Sequence, residues 1–418
     1  MKKIYQTLLM ALLFGLLIGA CNPQTPTSSP ATPLDTSYPI SGSSSPTDVT
    51  YPVETPTAEP TASPTSTPTT PTPSVGLPIY SLHMFADGSG WAFNSYQTAL
   101  YHTTNGGLSW FTVYPSSGGT LEAGSVYGFF LDGSTAWLSL SDYATETSSI
   151  LHTTDSGASW SETPLTFLGG TLFFLDSNTG FMLSRLGAGA GSEWVAVYAT
   201  NDAGQTWEQR FTHTPGGEEP SLPAGGIKSG FAFLDPLMGW VTGSEPVNDF
   251  VYLYRTTDGG ITWAHQPCDL ADADPDAMYN SFPPIFVSTT EGFLPLQTFL
   301  IDGTPQTIVC KTTDGGQTWQ SVSSAPVQGN VFDFTDAQHG WVLGETALFR
   351  TRDGATTWDD LSSSLPAGYT ALSLDFVDDQ AGWLLVYDSS SDSLDHNLLF
   401  YSQNGGQTWS QLDARMGD

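Results

Sequence analysis

The chain repeats one eight-residue phrase seven times, and every copy ends in tryptophan. The copies start at Thr103, Thr153, Thr200, Thr256, Thr312, Thr351 and Ser402, running from TTNGGLSW to SQNGGQTW. Their closing residues, Trp110, Trp160, Trp207, Trp263, Trp319, Trp358 and Trp409, lie 39 to 56 residues apart. A period of that length, with turn chemistry at a fixed place, marks an array of β-units such as a propeller. Residues that every unit needs for folding are poor candidates for chemistry performed once.

A second phrase precedes each box: Phe-x-Asp or a near relative, then Gly-Trp or a near relative. Examples are Phe233 to Asp235 before Gly239-Trp240, Phe334 to Asp336 before Gly340-Trp341, and Phe376 to Asp378 before Gly382-Trp383. Each unit then parses into four short strands. The first carries the Phe, the second starts at Gly-Trp, the third runs into the box, and the fourth starts with the box tryptophan. The expected fold is all-β, a single seven-bladed propeller of four-stranded antiparallel blades over residues 77–418.

Within the box, the third residue (Asn105, Asp155, Asp202, Asp258, Asp314, Asp353 or Asn404) can accept backbone N–H bonds, as in an Asx-turn. Glycine at the fifth position permits positive φ. The tryptophan offers a broad apolar face to the sheet. The sixth copy has Ala355 at that glycine position, so its turn is expected to differ, with Gly354 taking over. These acids serve the turns and are not read as metal ligands.

The boxes resemble the BNR or Asp-box repeat, and the pairing with Gly-Trp resembles the photosystem II stability and assembly factor family of seven-bladed propellers. That resemblance implies a box between the third and fourth strands and a scaffold or maturation role for a membrane complex. The family's basic binding patch has no counterpart here: the chain holds 42 acidic and 10 basic residues, a net charge of −32. Such a balance excludes nucleic-acid backbones and anionic lipid surfaces as partners. It suits solubility, calcium or cationic partners.

Spacing points to one face of the propeller. The Phe to Gly-Trp aromatic distance is seven residues in six units and six in the first, and the box is always eight. Second-strand aromatic to box tryptophan varies from 17 to 26 residues. All variation therefore falls on the face opposite the boxes, where loops on a rigid scaffold can carry binding. The candidate residues are Arg185, Glu193 and Trp194 in the third unit, Phe299 and Asp302 in the fifth, and Tyr387, Asp392 and Asp395 in the seventh. Asp272, Asp274 and Asp276 form a weak calcium candidate, because an EF-type loop would need glycine at Ala277 and an acid at Pro283. No cofactor is expected.

The first residues read as an export signal over 1–20: Lys2 and Lys3, an apolar run from Leu8 to Ile18, then Gly19-Ala20-Cys21. Small residues before a cysteine resemble the lipobox of bacterial lipoproteins, which implies lipidation of Cys21 and anchoring outside the cell membrane, or at the outer membrane of a two-membrane host. Residues 21–76, rich in Pro, Thr and Ser, cannot offset chain entropy by burial and read as a disordered stalk. At polyproline spacing it would reach on the order of 150 Å. In an exported protein the remaining cysteines, Cys268 and Cys310, most simply form one disulfide.

Asp-box propellers include sialidases, whose site needs several arginines to clamp a carboxylate. Six arginines remain after the leader, and Arg255, Arg350 and Arg352 lie in or beside boxes. Xyloglucanase-like hydrolases use two propellers, and one fits here. His102 and His152 share one place before their boxes and read as structural; no zinc spacing, phosphate loop or nucleophile elbow is present. A monomeric, non-enzymatic module binding a protein partner is the expectation. A glycan-binding or glycan-hydrolysing propeller is the alternative, and the first and last strands are expected to sit in separate complete blades.

Overall fold

The computed structural model describes residues 76–114, 124–142, 147–214, 221–271, 274–300, 303–304, 306–388 and 396–417. The leader, Cys21 and the stalk up to residue 75 lie outside the described residues, as do Asp272, Asp302, Asp392 and Asp395.

The first repeat builds β1 (Ser81–Met84), β2 (Gly90–Phe93), β3 (Leu100–Thr103) and β4 (Ser109–Tyr114). The second builds β5 (Gly124–Phe130), β6 (Ala136–Asp142), β7 (Thr147–Thr153) and β8 (Ser161–Leu165). The third builds β9 (Gly170–Phe174), β10 (Gly180–Gly189), β11 (Ser192–Thr200) and β12 (Glu208–Thr212). The fourth builds β13 (Ile227–Phe233), β14 (Gly239–Ser244), β15 (Tyr252–Thr256) and β16 (Ala264–His265). The fifth adds an extra strand: β17 (Met278–Ser281), β18 (Ile285–Phe286), β19 (Gly292–Phe299), β20 (Gln306–Thr312) and β21 (Gln320–Ala325). The sixth builds β22 (Val331–Phe334), β23 (Gly340–Leu343), β24 (Leu348–Thr351) and β25 (Asp359–Asp360). The seventh builds β26 (Thr370–Phe376), β27 (Ala381–Tyr387), β28 (Asn397–Gln403) and β29 (Ser410–Gln411), before a last strand β30 (Arg415–Met416).

These strands form an all-β propeller of antiparallel sheets in which the first strands of successive units meet, as β5 meets β9, β9 meets β13, β22 meets β26 and β26 meets β1. Seven separate four-stranded blades are not what the hydrogen bonding shows. Among the described residues five sheets stand as single blades: four of four strands, and one in which β30 joins β1 to β4. The strands of the fourth and fifth repeats are bonded into one nine-stranded sheet. The cause is β17, an unforeseen strand in the long connection after β16: it pairs with β19 along its length and touches β14 through Ser244 and Asn280.

Why Phe and Gly-Trp recur is visible in the packing. The second-strand aromatic of one unit stacks on the first-strand Phe of the next. Ring centroids are 3.9 Å apart for Trp137 and Phe174, 3.5 Å for Phe181 and Phe233, 4.0 Å for Phe293 and Phe334, and 3.7 Å for Trp341 and Phe376. That Phe ring also covers the glycine of its own unit. A Cβ on Gly239 would stand 2.5 Å from Phe233 Cδ1, so the position excludes any side chain. The Asp of Phe-x-Asp caps its own turn: Asp235 Oδ1 accepts N–H bonds from Leu237 (2.7 Å) and Met238 (2.8 Å).

In the first repeat the register is Met84 opposite Gly90 and His83 opposite Trp91. Met84, not Phe85, therefore occupies the place that Phe holds in the other units, and the six-residue spacing is a displaced motif. At the other junction Leu77 bridges Asn397, and β30 pairs in parallel with Ser109 and Trp110 of β4. The terminal units thus keep complete sheets and are tied together by short added pairings at both ends.

Candidate functional site

The boxes form turns that use their own polar groups. In the second copy, Asp155 Oδ1 accepts the Ser159 N–H at 2.9 Å and the Thr153 hydroxyl at 2.8 Å, and Oδ2 accepts the Ser159 hydroxyl at 2.6 Å. Thr153 Oγ1 in turn accepts the N–H of Gly157 at 3.0 Å. The ring is therefore wider than an Asx-turn: the carboxylate reaches four residues on, and the first-position hydroxyl bridges it to the glycine. Donation by the Ser159 hydroxyl, then its N–H and the Thr153 hydroxyl, pulls the Asp155 carboxyl down to about 2.

The fourth and fifth box residues both have positive φ in every copy, for example 72° and 86° at Gly106 and Gly107. The sixth copy does not differ as expected. Ala355 itself takes φ 70°, and its N–H still bonds Thr351 Oγ1 at 2.9 Å. The bond from the fifth-position N–H to the first-position hydroxyl recurs in all seven copies, so it overrides the local preference of one residue at a cost of about 1 kcal/mol.

Each box is also held by the rest of the ring. The fourth-position N–H donates to the first turn of the same unit, as Gly106 to Gly88 O (2.8 Å) and Gly405 to Gln380 O (2.9 Å). Both turns therefore share one face. The indole N–H of the preceding unit's Trp donates to box carbonyls: Trp137 to Ala203 O, Trp341 to Gly405 O and Trp383 to Gly106 O. The His102 imidazole bonds Gly133 O at 2.8 Å, and His152 stacks on Trp137 with centroids 4.6 Å apart. The box acids are thus committed to their own turns.

On the opposite face the structure separates the nominated residues by what they touch. Arg185 and Glu193 form a buried ion pair across the β10–β11 hairpin. Arg185 Nη2 also donates to Lys228 O (2.9 Å), and Glu193 Oε2 accepts the Lys228 N–H (2.7 Å). Lys228, which the sequence reading passed over, is 1% exposed. Its ammonium lies within 2.9–3.2 Å of five carbonyl oxygens, those of Glu193, Pro223, Ala224, Gly225 and Gly226, and above the Tyr252 ring. A buried cation needs such solvation. Arg185 and Glu193 thus work internally, fastening the segment before β13 to the hairpin tip. The scarcity of Lys, with Lys228 and Lys311 alone beyond the leader, was the available signal.

Trp194, next to that pair, is 37% exposed, and Phe299 at the end of β19 is 41% exposed. Backbone bonds link neighbouring segments on the way from one to the other. Glu193 N–H bonds Ala224 O at 2.8 Å, and Gly225 sits against the Glu245 carboxylate. Asp249 N–H bonds Ala277 O at 2.8 Å, and Met278 stands opposite Phe299. Val247 and Met278 are both exposed. The same segments carry Glu245, Asp249, Asp274 and Asp276; Asp274 Oδ1 caps the Asp276 N–H at 2.9 Å. Among the described residues no group of three or more His, Cys, Asp or Glu is placed to hold a metal. Cys268 and Cys310 are joined by a disulfide across a separation of 42 residues. Closing a loop of that size removes about 4 kcal/mol of unfolded-chain entropy. Tyr387 lies elsewhere, at the end of β27 opposite Thr370.

A family model described as Sortilin, neurotensin receptor 3 (Sortilin-Vps10) matches residues 307–418. No curated protein sequence matches the chain. Similar solved structures include YCF48 bound to D1 peptide, at 17% identity and TM-score 0.48, covering 79% of this chain and 92% of that one. YCF48 from Cyanidioschyzon merolae is 16% identical with TM-score 0.49, covering 80% and 97%. A PL25 polysaccharide lyase, ulvan lyase bound to its oligosaccharide, is 11% identical with TM-score 0.45, covering 81% and 96%.

Proposed function

We propose that this chain is a non-enzymatic binding module that takes a protein partner on the face opposite the boxes, across the third to fifth repeats. The observation that carries this reading is the exposure of Trp194, Val247, Met278 and Phe299 on segments linked by backbone hydrogen bonds, which also carry Glu245, Asp249, Asp274 and Asp276. Exposed apolar side chains grouped on a rigid frame and rimmed by one sign of charge suit a partner with apolar and cationic groups. The opposite face spends its polar groups on its own turns.

A glycan stacking on Trp194 and Phe299 is the second reading, favoured by the two aromatics themselves. The similar structures include a peptide-bound protein and a polysaccharide lyase, and so do not separate the two. Within the same proposal, residues 1–20 export the chain, Cys21 carries the lipid, and the stalk displays the propeller outside the cell. The support is the sequence pattern alone, and fatty-acid labelling that persists in Cys21→Ser would overturn it.

The binding test compares the native chain with a Trp194→Ala, Phe299→Ala double variant and a box-face control, Leu237→Ala with Ile261→Ala. Partner capture from source envelopes should fall at least tenfold in the first and hold in the second. Equal capture by both variants removes the site. Retention of the native chain on polysaccharide, lost in the double variant, with no protein captured, selects the glycan reading instead.

A further inference from the structure

At the register position opposite the second-strand aromatic, three consecutive units depart from the rest. Asp333 stands opposite Trp341, Asp375 opposite Trp383 and His83 opposite Trp91. Asp333 Oδ2 accepts the N–H of Phe376 in the next unit at 2.5 Å. Asp375 Oδ2 then accepts the N–H of Met84 in the unit after that at 2.6 Å. Phe376 and Met84 are themselves equivalent, opposite Gly382 and Gly90, so one bond is made twice in succession around the ring. Asp375 Oδ2 also meets His83 Nδ1 at 3.1 Å. The series crosses the junction between the last and first repeats.

We propose that Asp333 and Asp375, each holding a backbone N–H of the next unit, act as a pH-sensitive clasp joining the sixth, seventh and first repeats. Neighbouring carboxyls oppose one another's ionisation. The strands packed against them bring no cation to Asp333: β23, β27 and β2 carry no acid, Lys, Arg or His, and β26 and β1 bring only Asp375 and His83. In the adjoining turns Asp87, Asp336 and Asp378 are committed to bonds within those turns. Desolvation first, and the neighbouring Asp375 second, push the Asp333 carboxyl well above the usual carboxylate range, against the pull of the Phe376 N–H.

The sign follows. A carboxyl raised by folding takes up a proton on folding, so its stabilisation is complete below the ordinary value of 3.8 and is lost as pH rises through the raised value. Below that, Asp333 is a neutral acid. Above it, a desolvated charge is left at the junction of neighbouring sheets, and the clasp opens first.

The test is equilibrium unfolding of the full chain from pH 5 to pH 9, as native protein, Asp333→Asn, Asp375→Asn and the exposed-surface control Asp413→Asn. Between the ordinary carboxyl value and the raised value of Asp333, the unfolding constant of the native chain should rise by up to about tenfold per pH unit relative to Asp333→Asn, and level off above it. Asp375→Asn keeps an acceptor for Met84 and removes the like charge, so its rise should end at a lower pH, while Asp413→Asn should follow the native curve. Parallel profiles for the native chain and Asp333→Asn overturn the clasp. Should Asp333→Asn fail to fold, a rise that ends at the native pH in Asp375→Asn overturns it equally.

Discussion

One register position, read around the ring, divides the molecule into two arcs. In the second to fifth repeats it holds Phe129, Phe173, Ala232 and Ile285; in the sixth, seventh and first it holds Asp333, Asp375 and His83. On the apolar arc, Phe129 and Phe173 lie 5.7 Å apart between centroids, and Phe173 and Phe231 6.2 Å. Burying each such ring contributes about 2–3 kcal/mol, whatever the pH. On the polar arc each backbone N–H to carboxyl bond contributes about 0.5–3 kcal/mol, according to the charge on the acceptor, is directional, and responds to a proton. Similar energies therefore join neighbouring sheets by contacts of different kinds, one permanent and one conditional. The conditional joint falls where the chain's two ends must meet.

The largest expected effect comes from forcing one arc to imitate the other. Phe173→Asp loses a buried ring and places a carboxylate among Phe129, Phe231 and Leu172, so a loss of about 4 kcal/mol or more is expected in urea unfolding. A loss below about 1 kcal/mol would show that the apolar arc can host acids, and the contrast would fail. Gly239→Ala should follow, at about 2–3 kcal/mol, because its Cβ would meet the stacked Phe233 ring. Rescue by Phe233→Leu in the same background would show that the ring, and not backbone freedom, sets this cost.

Acid tests the boxes separately from the clasp. The lowered carboxyls, Asp155 and Asp314 at about 2, contribute stability that is complete above the ordinary carboxylate range and is lost as pH falls through about 2. Unfolding midpoints should therefore decline on acidification from pH 4 to pH 2, and Asp155→Asn should reduce that decline. An unchanged acid limb in the variant would mean that the box carboxylates are not its source. The smallest effect is expected for Ala355→Gly: relief of about 1 kcal/mol of left-handed strain is offset by a lost methyl worth about 0.8 kcal/mol. Calorimetry should find a net change within about 1 kcal/mol. A large stabilisation would mean that the methyl contributes nothing to the core around Val309 and Phe349.

Much of the fold was legible because turns and stacked aromatics are local or periodic. The box acids, the positive-φ places and the common face of both turns follow from an eight-residue phrase, whose bonds span four residues or fewer. Where spacing was the only guide, it misled. Phe85 looks like the first-strand Phe, yet Met84 holds that place, since a one-residue register shift leaves the composition of the motif intact. Ala355 looked like a broken turn, yet the bonds of Thr351 and Asp353 impose the same geometry. Of the nominated binding residues, Arg185 and Glu193 turn inward because Lys228, far along the chain, needs Glu193 and the carbonyls beside it.

The sequence by itself determined the repeating β-unit, its turns and the face where loop length varies, because each depends on contacts within one repeat. Only the tertiary structure decided that the fourth and fifth repeats share a sheet, that the terminal strand β30 pairs with β4, and that Asp333, Asp375 and His83 form one series. Those contacts join residues dozens to hundreds of positions apart, and no periodicity in the chain encodes which of them will meet. The seven boxes are alike because each turn must solve the same local problem; the two arcs differ because neighbouring sheets can be joined in more than one way.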